Sequence, residues 1–240
     1  MGRAKDIRIE PITPSDGRRI IRSLHYSGKV DTRSAVHLGV FLNGRCGGAI
    51  QLGTSMDKRR TIGLVKGTEW NEYIEIHRIA LAEWLPRNSE SRSLAVLIRL
   101  LRRHYPHLRW LLSYADGCQC GDGTIYRAAG FVLTGIRKNA TMYRMPDGEV
   151  IANIVLQPGF SPGTGDDSPI KRKYGKRGSE TAGAFLRRIG AEKLPGYQLR
   201  YIYFLDPAYR DRLTVPEIPY SRIDEMEIGM YKGKKRASEA

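Results

Sequence analysis

The run RWLLSYA, residues 109–115, constrains the fold more than any other part of the chain. It is almost continuously apolar over the length of one strand, which is the pattern of a strand buried on both faces in a parallel sheet. The residues before it complete the unit. EYIEIHRIAL, residues 72–81, alternates like a strand, and a helix is expected from Pro86–Asn88 to about Tyr105. Leu94, Leu97, Ile98 and Leu101 recur there at i, i+3, i+4 and i+7 and form one core-facing stripe. Strand, helix and buried strand in succession call for a sheet with the helix packed across it.

The other elements extend that sheet. Residues 6–12 alternate as a first strand, and Ser15–Asp16 is expected to cap a helix running to Leu24. VHLGVFLNGRCGGAIQLG, residues 36–53, reads as two strands joined at Asn43–Gly44, a strong hairpin signal. TIYRAAGF predicts a short helix ending at Gly130. FVLTGIRKN and EVIANIVL (149–156) read as strands around Asp147–Gly148, residues 180–190 as a helix, and QLRYIYFLD (198–206) as an aromatic strand rejoining the sheet. The expected fold class is α/β (α+β), with a central mixed β-sheet flanked by helices. Residues 1–210 are expected to form a single catalytic domain. Within it, 158–180 are rich in Gly, Pro, Ser, Lys and Arg and read as a basic loop or insertion. Residues 211–240 form a C-terminal extension with a basic tail.

Charge narrows the partners. With 40 Lys+Arg against 25 Asp+Glu, the net charge of +15 points to a polyanion, and the clustering of the cations favours nucleic acid. No apolar run approaches the roughly 20 residues of a membrane span, and the first residues lack a signal-peptide stretch, so no membrane partner and a cytoplasmic location are expected. Cys46 is isolated, and Cys118 and Cys120 form C-x-C with no second pair, which argues against structural zinc.

Several residues are candidates for chemistry. Period two places Tyr73, Glu75, His77 and Ile79 on one face of the 72–81 strand, and Ile74, Ile76 and Ala80 with Arg78 on the other. Glu and His on a central strand suggest that their face lines a cleft, with Glu75 as a base or the partner of an arginine. The helix start after Leu85, crowded by Arg87, Asn88, Ser89, Ser91 and Arg92, is an anion site for a phosphate-bearing donor. Asp116 ends the buried strand, where open α/β sheets place their sites, and reads as a proton acceptor or a turn residue. Asp122 reads as a local turn residue or a carboxylate comparable to Asp116, and His25 and Tyr26 lie in the polar-aromatic loop HYSGKV. Lys58, Arg59 and Arg60, and Lys171, Arg172, Lys173, Lys176 and Arg177, suit phosphate contacts. Cys120 is a candidate carrier of a transient acyl group.

Strand, turn, helix, strand and helix with Y-R-A-x-G-F resembles the GNAT superfamily of N-acyltransferases. Asn88-x-x-Ser91-x-Ser93 keeps the spacing of that superfamily's Q/R-x-x-G-x-G/A pyrophosphate loop without its glycines, and Tyr126 with Gly130–Phe131 matches its later L-Y-x-x-x-G-F. HYSGKV, GVFLNGR, SMDKRR, LPRNSESRSLAVLIRLLRRHYPH, ADGCQCGDGTIYRAAGF and QLRYIYFLDPAYRDRLTVP resemble, more closely, the Mom family of phage DNA-modification proteins. The resemblance implies conversion of adenine in duplex DNA to N6-carbamoylmethyl-adenine, an anti-restriction mark, in the cytoplasm of a bacterial host. It implies Tyr126 as proton donor to the leaving group, and Asp122, His25 and Tyr26 as the residues that hold an extruded base. The implied donor is acetyl-CoA with an iron-dependent step, or glycyl-tRNA, because an acetyl group brings no nitrogen and a glycyl group brings the two carbons and one nitrogen of the product. The partners are then double-stranded DNA and tRNA. No 2-His-1-carboxylate spacing for iron is evident among His25, His37 and His77. An acyltransferase acting on a protein or small amine, or a non-catalytic DNA-binding protein, would share the fold.

Overall fold

The computed structural model describes residues 3–119, 121–156, 169–228, 230–231 and 234–235. Contacts divide the chain into two compact units, Met1–Ile136 with Gln198–Ala240, and Arg137–Tyr197, so the second is inserted within the stretch read from sequence as one catalytic domain.

The first unit begins with β1 (Arg8–Pro11), α1 (Pro14–Leu24), β2 (Ser34–Leu42), β3 (Arg45–Gly53), α2 (Lys58–Ile62) and β4 (Tyr73–Leu81). It continues with α3 (Ser89–His104), β5 (Trp110–Asp116), α4 (Thr124–Ala128) and β6 (Val132–Lys138). The insertion holds β7 (Met142–Arg144), β8 (Val150–Ala152), α5 (Pro169–Lys173), α6 (Ala182–Arg188) and β9 (Glu192–Lys193). The chain then returns through β10 (Tyr197–Phe204) to α7 (Ser221–Glu225) and the small ribbon β11 (Met230–Tyr231) and β12 (Lys234–Lys235).

Among the described residues the main sheet has seven strands in the order β1-β2-β3-β4-β5-β10-β6. It is mixed, as expected: β4 and β5 run parallel, while β1–β2, β2–β3, β3–β4 and β5–β10 run antiparallel. The parallel pair follows from α3, whose Leu94, Leu97, Ile98 and Leu101 are buried as the periodicity predicts. Asn43 (φ 52) and Gly44 (φ 76) turn the β2–β3 hairpin in the left-handed region. α1 ends at Leu24 as read, but it starts earlier. Thr13 is the N-cap, accepting from the Asp16 N–H at 3.1 Å, and Pro14 occupies the first helical position, where no N–H is needed.

In the insertion, the turn at Asp147–Gly148 joins β8 to β7, a strand the sequence does not announce. EVIANIVL is a strand only to Ala152 and then a 3-10 turn. Buried Asn139 holds this sheet: its Nδ2 donates to the Met142 and Leu194 carbonyls, and its Oδ1 accepts from the Thr141 and Met142 N–H groups. Met145, Ile151, Leu156, Phe185 and Leu186 form the insertion's own core. Of the stretch read as loop, 157–168 lie outside the described residues, and 169–173 are helical.

Candidate active site

The site is built where β3, β4 and β5 meet. β4 and β5 pair from Tyr73–Trp110 to Ile76–Ser113. Beyond that point β4 continues to Leu81 and β5 to Asp116 without recorded pairing between them, which leaves a gap in the sheet. On its other side β4 carries a β-bulge. Gln51 pairs with Arg78 while the next residue, Leu52, pairs with Ile76, so His77 is the extra residue.

The bulge corrects the face expected from period two. Tyr73 and Glu75 share a face, but after His77 the alternation inverts: Arg78 and Ala80 join them, and Ile79 does not. Ala80 packs with Ala49 and with Ile21 of α1. A Cβ on Gly17 of α1 would lie 2.7 Å from His37 Nδ1, and His37 bonds Gln51, the partner of Arg78. Gly53 lies two residues on from Gln51 and pairs with Glu75. One face therefore presents Tyr73, Glu75 and Arg78, overlaid by the 25–33 loop that follows α1.

Glu75 is the centre of this arrangement. Burial raises its carboxyl above the ordinary range, with the nearby Ser55 hydroxyl and the Arg33 and Arg78 charges working the other way. Ser55 Oγ, Tyr73 OH and Arg33 Nη1 are buried and make no hydrogen bond of good geometry, although Ser55 stands close enough to Glu75 and Tyr73, and Thr61 to Tyr73, to act against the rise in their pKa values. Burial likewise raises the Tyr73 phenol, and Glu75 adds to the rise. Burial also acts to raise Asp31, but the Arg33 side chain and backbone N–H bonded to it, with His77 beside it, hold its carboxyl below the usual value. Arg33 is thus clamped at one edge while Nη1 remains unsatisfied.

His77 is locked rather than free. Its Nε2 lies 3.1 Å from the Thr54 carbonyl, which can only accept, so that nitrogen carries the proton; Nδ1 accepts from Ser34 Oγ at 2.9 Å. Burial lowers its pKa against the pull of Asp31. His25 Nδ1 accepts from the Ser27 N–H at 3.2 Å, which places the neutral ring's proton on Nε2. Burial, aided by Arg78, lowers the His25 pKa to about 3. Its ring lies 4.2 Å from that of Tyr26, as a stacking pair would. Arg78 donates from Nε to the Lys29 carbonyl at 3.2 Å and from Nη1 to the His77 carbonyl at 2.7 Å, which ties the loop to the bulge.

Asp116 ends β5 as expected. Oδ1 accepts from the Cys118 N–H at 3.0 Å and from Gln198 Nε2 at 2.7 Å, and Oδ2 accepts from Gln119 Nε2 at 2.8 Å. Trp110 and Leu112 share the Tyr73 and Glu75 face, because Tyr73 stacks on Trp110 at 4.5 Å and pairs with it. Alternation carries Asp116 to the same face, about 13 Å beyond Glu75 at four strand residues. Tyr126 belongs to the opposite, helix-covered side: its ring packs 5.3 Å from Tyr201, which pairs with Ser113. Asp122 accepts from the Thr124 N–H and hydroxyl at the start of α4, a capping arrangement.

The donor-loop residues also lie apart from Glu75. Ser93 is fully buried, Ser91 Oγ donates to the Asn88 carbonyl, and Arg92 Nη2 donates to the Lys5 carbonyl at 2.8 Å. A pyrophosphate cradle needs backbone made approachable by glycine. Ser91 and Ser93 stand in the places of those glycines, and Arg92 Nε and Ser93 Oγ are buried without a hydrogen-bond partner. Arg87 and Asn88 are exposed, and Asn88 is left-handed (φ 69).

Among the described residues no group of three His, Cys, Asp or Glu side chains stands at ligand distance, and both His77 nitrogens are committed. The basic clusters lie on α2 (Lys58, Arg59, Arg60) and, within the insertion, on α5 and the turn after it (Lys171, Arg172, Lys173, Lys176, Arg177). Lys171 is buried, and Lys173 pairs with Asp147. Cys120 lies outside the described residues. No described helix is long and apolar enough to cross a membrane.

A family model of the Mom protein family matches residues 6–222. The chain belongs to the Mom family. A relative, the methylcarbamoylase Mom of Escherichia phage Mu, is 33% identical over 216 residues, covering 88% of this chain and 80% of that protein. Solved structures resembling this Mom-family chain include the ribosomal-protein-S18-alanine N-acetyltransferase of Escherichia coli, with a TM-score of 0.43 at 12% identity over 83% of this chain and 94% of that one. A GNAT family acetyltransferase of Elizabethkingia anophelis with acetyl-CoA bound has a TM-score of 0.41 at 16% identity, over 83% and 98%. Of the sequence candidates, Glu75 and His25 fall within this cluster and Asp116 lies beyond it, while Asp31, Arg33, Ser55 and Arg78, which sequence reasoning did not single out, are brought beside Glu75 by two loops and a bulge.

Proposed function

We propose that the chain is a transferase that converts adenine in duplex DNA to N6-carbamoylmethyl-adenine, a mark that shields phage DNA from restriction. The observation that carries this reading is the buried Glu75 carboxylate among the unsatisfied Ser55, Tyr73 and Arg33 donors. Adenine presents an amine that donates and ring nitrogens that accept, and the Glu75 carboxylate with the donors around it is the complementary set. Family membership, a relative named as a methylcarbamoylase and the net charge of +15 support the same conclusion. The paired amine must leave the duplex to be reached, so the base is flipped, with His25 and Tyr26 beside it.

The donor in this reading is the glycyl ester of tRNA. Glu75 accepts the proton of the N6 amine as N6 attacks the ester carbonyl, and the tRNA hydroxyl leaves, giving N6-glycyl-adenine. The glycyl amine then attacks ring C6 and displaces the original N6, which becomes the terminal carboxamide nitrogen. Atoms balance without an oxidant. Asp116, held by Gln119 and Gln198, accepts a hydrogen bond from the donor's amine, and the Arg78 charge near Glu75 stabilises charge on the reacting carbonyl. Tyr126, packed against Tyr201 on the other side of the sheet, takes no part in this step. Lys58–Arg60 and, on the insertion, the exposed Arg172 and Arg177 hold phosphates of the nucleic acids.

The test is direct. Purified protein is incubated with adenine-containing duplex and either glycyl-tRNA or acetyl-CoA, and the digested nucleosides are weighed by mass spectrometry. Modified base from glycyl-tRNA is expected; modified base from acetyl-CoA alone would refute the donor.

A further inference from the structure

Met56 and Trp70 are each 54% exposed, more than any other large hydrophobic residue described. Both belong to segments that leave the buried cluster around Glu75. Met56 follows Ser55, whose hydroxyl is buried beside Glu75, and Trp70 stands three residues before Tyr73, whose phenol lies in the same cluster. Between them runs α2, and Lys58 Nζ sits 4.3 Å above the Trp70 ring. Arg59 and Arg60 on that helix are exposed. Thr61, also on α2, is buried beside Tyr73.

The cations select an anion, and the exposed Trp70 ring beside Lys58 selects a stacked base, with Met56 a second exposed apolar side chain of the same 56–70 segment. We propose that Met56 and Trp70 are the wedge of a DNA-binding surface. In this arrangement they stack on the bases next to the extruded adenine and fill the space it leaves, while Lys58, Arg59 and Arg60 hold the adjoining phosphates. The assignment rests on the adenine-modification reading above, and it adds a residue class, the apolar wedge, that the charge pattern does not contain.

The test uses the full chain and two duplexes, one fully paired with 2-aminopurine in place of a single adenine, the other with an abasic site at that position. Wild-type protein should raise 2-aminopurine fluorescence on the paired duplex and prefer the abasic one. Met56→Ala/Trp70→Ala should bind about tenfold more weakly to both duplexes, the loss of one good stacking contact, and the fluorescence rise should disappear. Trp70→Phe should recover most of it. Circular dichroism confirms the fold, which an exposed residue should not disturb. If the double variant binds and unstacks like wild type, the wedge is refuted while DNA modification stands. Wild-type protein that binds neither duplex would overturn the modification reading and the wedge together.

Discussion

Replacing Glu75 by Gln keeps the shape of the side chain and removes its basicity, and it separates catalysis from stability. In the wild type the carboxyl is buried and its pKa is raised. A raised folded-state pKa means that its stabilising contribution is complete below the unfolded pKa and is lost as pH rises through the folded value. At neutral pH the wild type therefore carries a buried charge at a cost, and Glu75→Gln should be as stable or more stable there, an advantage that shrinks toward acid pH. Activity should move the opposite way. Removing a general base costs typically 10²–10⁴-fold, equivalent to about 2.7–5.4 kcal/mol of barrier at 1.36 kcal/mol per decade. Single-turnover modification followed by nucleoside mass spectrometry reads the rate. The wild-type rate should rise with pH along an acidic limb set above the ordinary value of 4.5, and the variant should lose that limb. A variant within tenfold of wild-type rate would refute Glu75 as the proton acceptor, and a variant whose stability relative to wild type falls between pH 5 and pH 8 would refute the raised pKa.

Other outcomes follow from the same geometry. A Cβ on Gly53 would stand 2.3 Å from the Arg33 carbonyl oxygen and 2.7 Å from His77 Cε1, so Gly53→Ala should cost about 1–3 kcal/mol in denaturant melts and lower activity with it. Neutralising Lys58, Arg59 and Arg60 together should flatten the salt dependence of DNA binding by about 2.7 in log–log slope if each meets one phosphate, and an unchanged slope would remove them from the interface. His25 is neutral down to about pH 3 when folded and titrates near 6.5 when unfolded, so wild-type stability should fall as pH drops from 6.5 toward 3, and His25→Gln should lessen that fall in acid titrations. With ¹⁵N-glycyl-tRNA the label should appear on the nitrogen bonded to C6, readable by fragmentation, and label in the carboxamide would refute the rearrangement.

Local patterns wrote most of the scaffold. The RWLLSYA run, the Leu94–Leu101 stripe and Asn43–Gly44 depend on neighbours in sequence, because burial periodicity and turn conformation are local properties. The charge excess and the motif strings are likewise properties of the chain alone, and they led to the family. The site was legible only in part. Glu75, His25 and Asp116 could be singled out because polar residues in strands and at strand ends are conspicuous. Arg78 could not, since a bulge is a mismatch between two strands and leaves no trace in the period of one. Asp31, Arg33 and Ser55 sit in loops whose path over β4 is set by packing against α1 and β3. Tyr126 shows the converse: its motif was plain, yet side-chain alternation across β5 and β10 put its ring on the far side of the sheet. Sequence alone determined the elements, the family and the charge. Tertiary structure decided which side chains meet, because that depends on strand register and loop closure between residues far apart in the chain.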